Sequence, residues 1–355
     1  MNITITNTTI ASTSDYDTRM IALVNLLNQT ISQVALGLIC IMGNIGSIFN
    51  CIVFSQPAFQ KSPCAMYFIA ASFSQLFTFD FALFTRMLHY GYNMKALNYE
   101  LWYCKIRFYL FYIFVAVPRY NLIMAIVDRF FTSSRDALRR QWSSPKIALR
   151  VIIANSILWC IIYIQVLIFY EINNSNCSYR GGSYGIFFSI YISIDSGILP
   201  ISLMLIFGLL TVKHVHQSKQ RIVPAPGNND APANQTGRMS KKDAQLHKML
   251  ANQILLFLIL NIPNPCYLVY QSFIVNSTLS PLRRASESFA SNMTYVLVYF
   301  GFSLTFANFF ISSEIFRREF IQLIRTKVLR QNPRRTTSTG GATTVKVLRP
   351  TDGEE

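Results

Sequence analysis

The stretch CKIRFYLFYIFVAVPRYNLIMAIVDRF, from Cys104 to Phe130, decides the fold. It is rich in Phe, Tyr, Ile, Leu and Val, and it ends in the charged pair Asp128 and Arg129. As a helix it would rise about 37 Å from Cys104 to Arg129, at about 1.5 Å per residue. A hydrocarbon core is about 30 Å thick, so the stretch predicts a membrane-spanning helix with one end outside each face. A cysteine at one boundary and an Asp-Arg pair at the other suggest a helix with a signalling role. Because charges commonly flank spanning helices, the alternative is a plain span that happens to end in charge.

The composition favours a membrane protein of many spans. Hydrophobic residues make up 52% and charged residues 14% of the chain, against about 25% charged in ordinary soluble proteins. The net charge is +16, which in a soluble protein would indicate nucleic-acid binding. Here the basic residues cluster in a few loops and the tail, so membrane topology explains them better. We therefore expect no nucleic-acid partner.

Seven apolar segments are long enough to cross a bilayer. They predict an all-α bundle of seven transmembrane helices within residues 31–312, with spans at about 31–55, 65–89, 103–128, 147–170, 184–212, 245–272 and 292–312. No internal repeat is apparent, which weakens a transporter built from inverted repeats.

The basic residues also set the orientation. They gather in alternate loops and in the tail, which places that side in the cytoplasm and the N-terminus outside. The polar segment 1–30 is then an extracellular, glycosylated N-terminus. Candidate glycosylation triplets on the outer side begin at Asn2, Asn7, Asn28, Asn173, Asn176, Asn276 and Asn292.

Three further segments lie on the predicted cytoplasmic side. Residues 219–240 and 331–355 have the polar, Pro- and Gly-containing composition of disordered chain. Residues 313–330 carry apolar and basic faces at helical spacing. They predict a short amphipathic helix that lies on the inner leaflet after the last span.

Several landmarks in register make the chain similar to the rhodopsin-like G-protein-coupled receptors. Asp128-Arg129-Phe130 matches the family's Asp-Arg-Tyr motif, and Phe257 and Pro263 keep its spacing in span six. The other landmarks are Gly43, Asn44, Cys104, Trp159, Cys177, Pro200, Phe316 and Arg317. The end of span seven, from Phe309 to Arg317, resembles invertebrate peptide receptors of the FMRFamide type.

The chain also departs from the family pattern. Gln75 replaces the usual acid of span two, and Asn261 replaces the Trp before Pro263. The segment Thr305-Phe306-Ala307-Asn308-Phe309 stands where the family has Asn-Pro-X-X-Tyr. These replacements remove residues on which the family's usual activation relay depends, but Arg129, the last residue of that relay, is kept.

The resemblance implies a plasma-membrane receptor and no enzymatic activity. Its partners would be an extracellular ligand, a heterotrimeric G protein, the bilayer, and arrestin at the Ser/Thr-containing tail. The implied coupling and switch residues are Asp128, Arg129, Phe130, Asp243, Phe257, Pro263 and Phe309. No cofactor or metal is expected, and a transporter or channel for a small polar solute remains the alternative class.

The ligand is expected to be a small peptide or another polar molecule. Between Lys105 and Val127 span three has no acid, which disfavours the amine ligands of the family. Pocket candidates in the outer half are Asp80, Arg86, Arg107, Phe108, Phe111, Tyr112, Tyr267 and Tyr270. For each aromatic, packing against the core or lipid is the alternative.

Three pairings follow from the resemblance and from residue positions. We expect Cys104 and Cys177, both on the oxidising side, to form a disulfide. We expect Arg129 to be held by Asp128 and Asp243 in the resting state. We also expect Arg119 to pair with Asp195 inside the membrane, because a lone charge there is costly; Asp80 is the rival partner, and water with backbone carbonyls the other alternative.

Overall fold

The computed structural model describes residues 3–60, 62–94, 99–134, 136–173, 176–220, 241–274 and 279–328. In these ranges the chain is helical except for one short hairpin and the connections. The predicted inner loop, from 221 to 240, and the predicted tail, 331–355, lie outside the described residues. Residues 219 and 220 belong to a helix and not to that loop.

The first three spans follow one another through short connections. Span one is α1 (Ile3–Phe54). Span two consists of α2 (Pro63–Phe77), a π-helical turn (Thr78–Leu83) and α3 (Phe84–Gly91). Span three is α4 (Leu101–Ser133), which contains Pro118, and the short α5 (Ala137–Gln141) follows it.

The remaining four spans are each built from more than one helix. Span four is α6 (Pro145–Ile162) and α7 (Ile164–Phe169), and span five is α8 (Ser183–Ser193), a π-helical turn (Ile194–Ile198) and α9 (Leu199–Gln220). Span six is α10 (Lys241–Asn261) and α11 (Pro263–Ile274), and span seven is α12 (Pro281–Ser303) and α13 (Thr305–Ser312).

The helices are long and apolar enough for seven crossings. Spans one to six each contain a helical segment long and apolar enough to cross a membrane. Span seven is also long and apolar enough when α12 and α13, which meet at an angle of 41°, are taken as one bent span. Isoleucine, leucine and phenylalanine side chains remain exposed along the bundle surface, where lipid would cover them. The predicted all-α, seven-helix bundle is confirmed.

Two spans begin earlier than the hydropathy pattern predicts. The helix of span one starts at Ile3, well before the predicted crossing at residue 31, and residues 3–36 contain neither Pro nor Gly to interrupt it. Its 52 residues rise about 78 Å, more than a bilayer needs, so the crossing at 31–55 stays a prediction. Span seven starts at Pro281 and not near residue 292. Ser280 caps it by accepting from the backbone N–H of Arg283 at 3.3 Å, a helix start that hydropathy alone does not reveal.

Span three lies at the centre of the bundle. In its most apolar window 67% of the residues are buried, against 22% in that of span four. Its buried residues include the polar side chains of Arg107, Arg119, Asn121 and Arg129. These can be held inside only if neighbouring spans supply partners.

A hairpin covers one end of the bundle, between spans four and five. Strands β1 (Tyr170–Asn173) and β2 (Asn176–Tyr179) run antiparallel, with Ile172 opposite Cys177. We call this end the disulfide end, because Cys177 is bonded there to Cys104 with Cα atoms 5.8 Å apart. The opposite end is called the Arg129 end.

The amphipathic helix expected after span seven is α14 (Glu314–Leu323), followed by a π-helical turn (Ile324–Val328). Ser313 caps it, since its Oγ accepts from the backbone N–H of Phe316 at 3.2 Å. Phe316 is fully buried and packs on the rings of Phe54 and Phe306. The basic side chains of Arg317 and Arg318 stay exposed.

The glycosylation sites fall into three groups. Asn28 and Asn292 are buried and bonded to each other at 2.8 Å, so an attached glycan would not fit and these two expectations are wrong. Asn173 is exposed. Asn2 and Asn276 lie outside the described residues, as do the side chains of Asn7 and Asn176, and all five sites stay predictions.

Candidate functional site

A cavity of about 290 Å³ opens at the disulfide end. Spans two, three, five, six and seven and the hairpin all contribute to its wall. The side chains that shape it include Arg86, His89, Tyr90, Arg107, Phe108, Tyr112, Tyr170, Tyr179, Phe188, Gln271 and Tyr295. Because the disulfide fixes β2 to the head of span three, the hairpin forms part of the cavity wall.

Two buried arginines lie on the cavity wall. Arg86 donates from Nε to Oδ1 of Asn292 at 2.9 Å, and its Cζ lies 3.9 Å from the ring centre of Tyr295. Arg107 donates from Nε to the hydroxyl of Thr85 at 3.2 Å, with its Cζ 4.7 Å from the ring centre of Phe108. Both guanidinium groups are thus held by neutral oxygens and aromatic faces.

The aromatic wall of the cavity is continuous from the hairpin to the bundle centre. Tyr112 and Tyr170 share a hydrogen bond between their hydroxyls at 2.8 Å. The ring of Tyr112 stacks on Tyr163 at 5.1 Å, and Phe108 packs on Tyr170 at 4.8 Å. The hydroxyls of Tyr112 and Tyr170 are therefore engaged with each other, and the rings present apolar faces to the cavity.

Four of the eight predicted pocket residues line this cavity, namely Arg86, Arg107, Phe108 and Tyr112. Phe111 lies deeper, on a cavity of about 30 Å³ below it. Tyr267 lines a neighbouring cavity of about 360 Å³, where it and Tyr270 donate to Glu287.

Asp80 does not belong to the pocket. Its carboxylate is exposed and accepts from Nδ2 of Asn44 in span one at 2.6 Å. The π-helical turn that contains Asp80 adds a residue to span two, so this side chain leaves the face that a regular helix would give it.

The expected ion pair between Arg119 and Asp195 is not formed. Within the described residues, no acid lies within 4.0 Å of Arg119. The carboxylate of Asp195 instead accepts from the hydroxyls of Tyr120, at 3.0 Å, and Tyr163. These hydroxyls satisfy both oxygens, while Arg119 places its Cζ 6.0 Å from the ring of Phe257. Arg119 and Asp195 still line the same 30 Å³ cavity, which has room for about one water.

Arg129 joins spans three and six at its end of the bundle. It is 2% exposed and donates from Nη2 to Asp128 at 2.7 Å and from Nη1 to Asp243 at 2.8 Å. Asp128 also accepts from the hydroxyl of Ser143 at 2.7 Å. Phe130 stacks on His214 of span five, with ring centres 5.3 Å apart.

A polar network joins spans six and seven nearby. Asn308 donates to Oε1 of Gln253 at 2.8 Å and accepts from the hydroxyl of Ser312 at 3.0 Å. Gln245 accepts from the hydroxyl of Ser313 and from the backbone N–H of Ile315, both at 2.8 Å. Span six is thus bonded both to span seven and to the start of α14.

The other predicted switch residues lie on the same spans. Phe257 is buried beside Arg119. Pro263 starts α11 after the break in span six. Phe309 packs on Phe54 and Phe68, with ring centres 5.4 and 4.7 Å away.

Several residues of these networks were missed at the sequence level. Gln245 lies in the charged stretch from Lys241 to Lys248 and gave no signal. Gln253 and Asn292 are amides within predicted spans, and a polar side chain within a span usually faces the bundle interior. The presence of a polar side chain within a span therefore predicted an inward orientation, but it did not predict which residue each amide would bond to. In the described part of the chain, no group of three or more His, Cys, Asp or Glu side chains could hold a metal ion.

Comparison with known proteins identifies the class. Seven spanning helices, a disulfide-tied hairpin over a cavity and an Asp-Arg pair at the other end define a membrane receptor of the seven-helix type. A family model for the 7 transmembrane receptor (rhodopsin family) matches residues 46–313, and the chain belongs to this family. A comparison with curated proteins finds no match.

Membership in the rhodopsin family of receptors defines the general function of the chain. The chain is a multi-pass plasma-membrane receptor that responds to an extracellular ligand and signals through G proteins, and it is not an enzyme. The transporter or channel alternative is not favoured.

Proposed function

We propose that the receptor binds a small peptide in the cavity at the disulfide end. The cavity supports this proposal by combining about 290 Å³ of space with aromatic walls and charged groups, which suits a peptide end carrying one or two side chains. The similarity of residues 309–317 to invertebrate peptide receptors makes short peptides the ligand class to test first.

We further propose that the disulfide end and N-terminus are extracellular and that α14 and the tail are cytoplasmic. The distribution of basic residues favours this orientation, and an extracellular face provides the oxidising conditions in which a disulfide persists. The G protein then meets the Arg129 end, and arrestin is a further partner of the tail. Epitope tags at the two termini of intact cells test the orientation, since only the N-terminal tag should be stained without permeabilisation.

The peptide is tested by GTP exchange in membranes that contain the receptor. Pools of small peptides should give a saturable rise in exchange that untransfected membranes lack. Ile192 lines the cavity, so Ile192→Trp should fill it and remove the response. Ile190, an exposed residue of span five that does not line the cavity, provides the matched control Ile190→Trp, which should keep the response at equal surface expression. Peptide responses that survive Ile192→Trp unchanged would place the peptide elsewhere.

A further inference from the structure

The cavity at the disulfide end carries positive charge that no acid balances. Arg86 and Arg107 are only 6% and 4% exposed. Among the described residues neither forms an ion pair, and no Asp or Glu side chain lines the cavity. Buried charges in proteins are normally paired, so these two lack a partner of opposite charge.

Most of the donor capacity of both groups is unused. A guanidinium has five N–H donors, and each of these arginines commits only its Nε, to a neutral oxygen. In the described part of the chain their terminal nitrogens donate no hydrogen bond. The two groups are also close in the fold, because Arg107 is bonded to Thr85, the residue before Arg86.

Glu100 is exposed at the start of span three and does not line the cavity. Three other acids in the outer half of the bundle are already engaged. Glu171 pairs with Arg180 at 3.1 Å. Glu287 accepts from the hydroxyls of Tyr267 and Tyr270. Asp80 accepts from Asn44 outside the cavity. None of these carboxylates is available to neutralise the arginine pair without breaking its present contacts.

We propose that the ligand of this receptor presents a carboxylate that binds between Arg86 and Arg107. The terminal nitrogens of an arginine match the two oxygens of a carboxylate in a fork, and the aromatic faces around the pair suit an apolar group beside it. In a peptide the carboxylate belongs either to a free C-terminus or to an acidic side chain. The inference rests on the proposed peptide function and defines the chemistry of that site.

Two matched probe pairs test the charge and distinguish its source. N-acetylphenylalanine and its amide differ only in the terminal carboxylate. N-acetyl-aspartyl-phenylalaninamide and its asparaginyl counterpart differ only in a side-chain carboxylate. The full-length receptor is purified in detergent, and dissociation constants are obtained from the ligand-dependent rise in unfolding temperature. The acid of one pair should bind roughly tenfold or more tightly than its neutral partner, as charge-assisted hydrogen bonds require.

Substitutions show whether the preference belongs to this pair. Arg86→Gln and Arg107→Gln should each reduce severalfold the ratio of acid affinity to amide affinity. Arg86→Lys and Arg107→Lys keep the charge and should retain part of this ratio, so they test the site even where a Gln variant folds poorly. Lys105→Gln removes a cation at the same end that donates to the carbonyl of Ile168 and does not line the cavity, and it should leave the ratio unchanged. No acid preference in either pair, or one that survives all four arginine-pair variants, would overturn the proposal.

Failure of this inference differs from failure of the proposed function. The binding test needs no G protein and no signalling. An acid preference without peptide-driven GTP exchange would keep the anion site and reject the peptide function. Peptide-driven GTP exchange without an acid preference would keep the peptide function and reject the carboxylate site.

Discussion

Arg129 holds two carboxylates that differ in burial. The side chain of Asp128 is 5% exposed and that of Asp243 is 34% exposed. Asp128 is adjacent in sequence and is also bonded to Ser143, so it stays with Arg129 when span six moves. The bond to Asp243 crosses between spans. It is therefore the one that a movement of span six can release.

The first prediction concerns this bond. Asp243→Asn keeps the shape of the side chain but removes the charge, and it should raise basal GTP exchange. Part-exposed ion pairs are worth about 0–1 kcal/mol, so the rise should be at most roughly fivefold. Asp136→Asn is the control. Asp136 forms an exposed contact with Arg139 at 3.8 Å and caps α5 by accepting from the backbone N–H of Leu138 at 2.9 Å, and Asn is an equally good cap. Unchanged basal exchange of Asp243→Asn at equal surface expression would contradict the prediction.

Asp195 shows where residue-level reasoning fails. The sequence indicated that a buried acid needs a partner, and Arg119 was the nearest cation by helical depth. The actual partners are the hydroxyls of Tyr120 and Tyr163. In a chain with 18 tyrosines, a tyrosine at any one position carries no signal of its own. Which hydroxyl reaches an acid depends on packing that a single sequence does not encode.

At the scale of elements, the two acids whose contacts differ from those predicted both lie in π-helical turns. Asp80 lies in the π-helical turn of span two and Asp195 in that of span five. A π-helical turn inserts a residue and rotates the following helix relative to a 3.6-residue period. The regular period therefore gives the wrong face for Asp80, whereas Asp195 still reaches the small cavity beside Arg119. The starts of spans three to six, by contrast, were predicted to within four residues, because long apolar segments fix them independently of helix phase.

The second prediction concerns the network between spans six and seven. Asn308 is 6% exposed and Gln253 is 4% exposed, so removing either leaves the other without its partner. A double-mutant cycle of Asn308→Ala and Gln253→Ala should show coupling of about 0.6–1.7 kcal/mol, the range measured between membrane helices. Unfolding free energies of the purified receptor provide the measurement.

A distant pair provides the control for that cycle. Asn155 is buried and bonded to Trp159 in span four, so Asn155→Ala combined with Asn308→Ala should be additive within roughly 0.5 kcal/mol. Additive behaviour of Asn308→Ala with Gln253→Ala would show that their 2.8 Å bond contributes nothing to stability.

At the scale of the whole molecule, span three connects all the sites. Its first turns carry Cys104 and Arg107 beside the cavity. Its middle carries Arg119, and its far end carries Asp128 and Arg129. The small cavity beside Arg119 shares Tyr112 and Tyr295 with the cavity above it. A ligand that moves Tyr112 or Tyr295 therefore changes the packing around Arg119, which lies between the ligand cavity and Arg129 along span three.

The third prediction tests how the disulfide holds the cavity together. Cys104 and Cys177 are 73 residues apart in sequence, and the chain-entropy model gives about 4 kcal/mol for a loop of that length. The value is an upper limit here, because inserted spans already restrict the unfolded chain. Cys177→Ser should lower the unfolding temperature and weaken ligand response, since the hairpin then leaves the cavity wall. Cys160→Ser, at a free cysteine within span four, should change neither. Free alkylation of Cys177 in folded wild-type receptor, read by mass mapping without reduction, would show that the bond does not form.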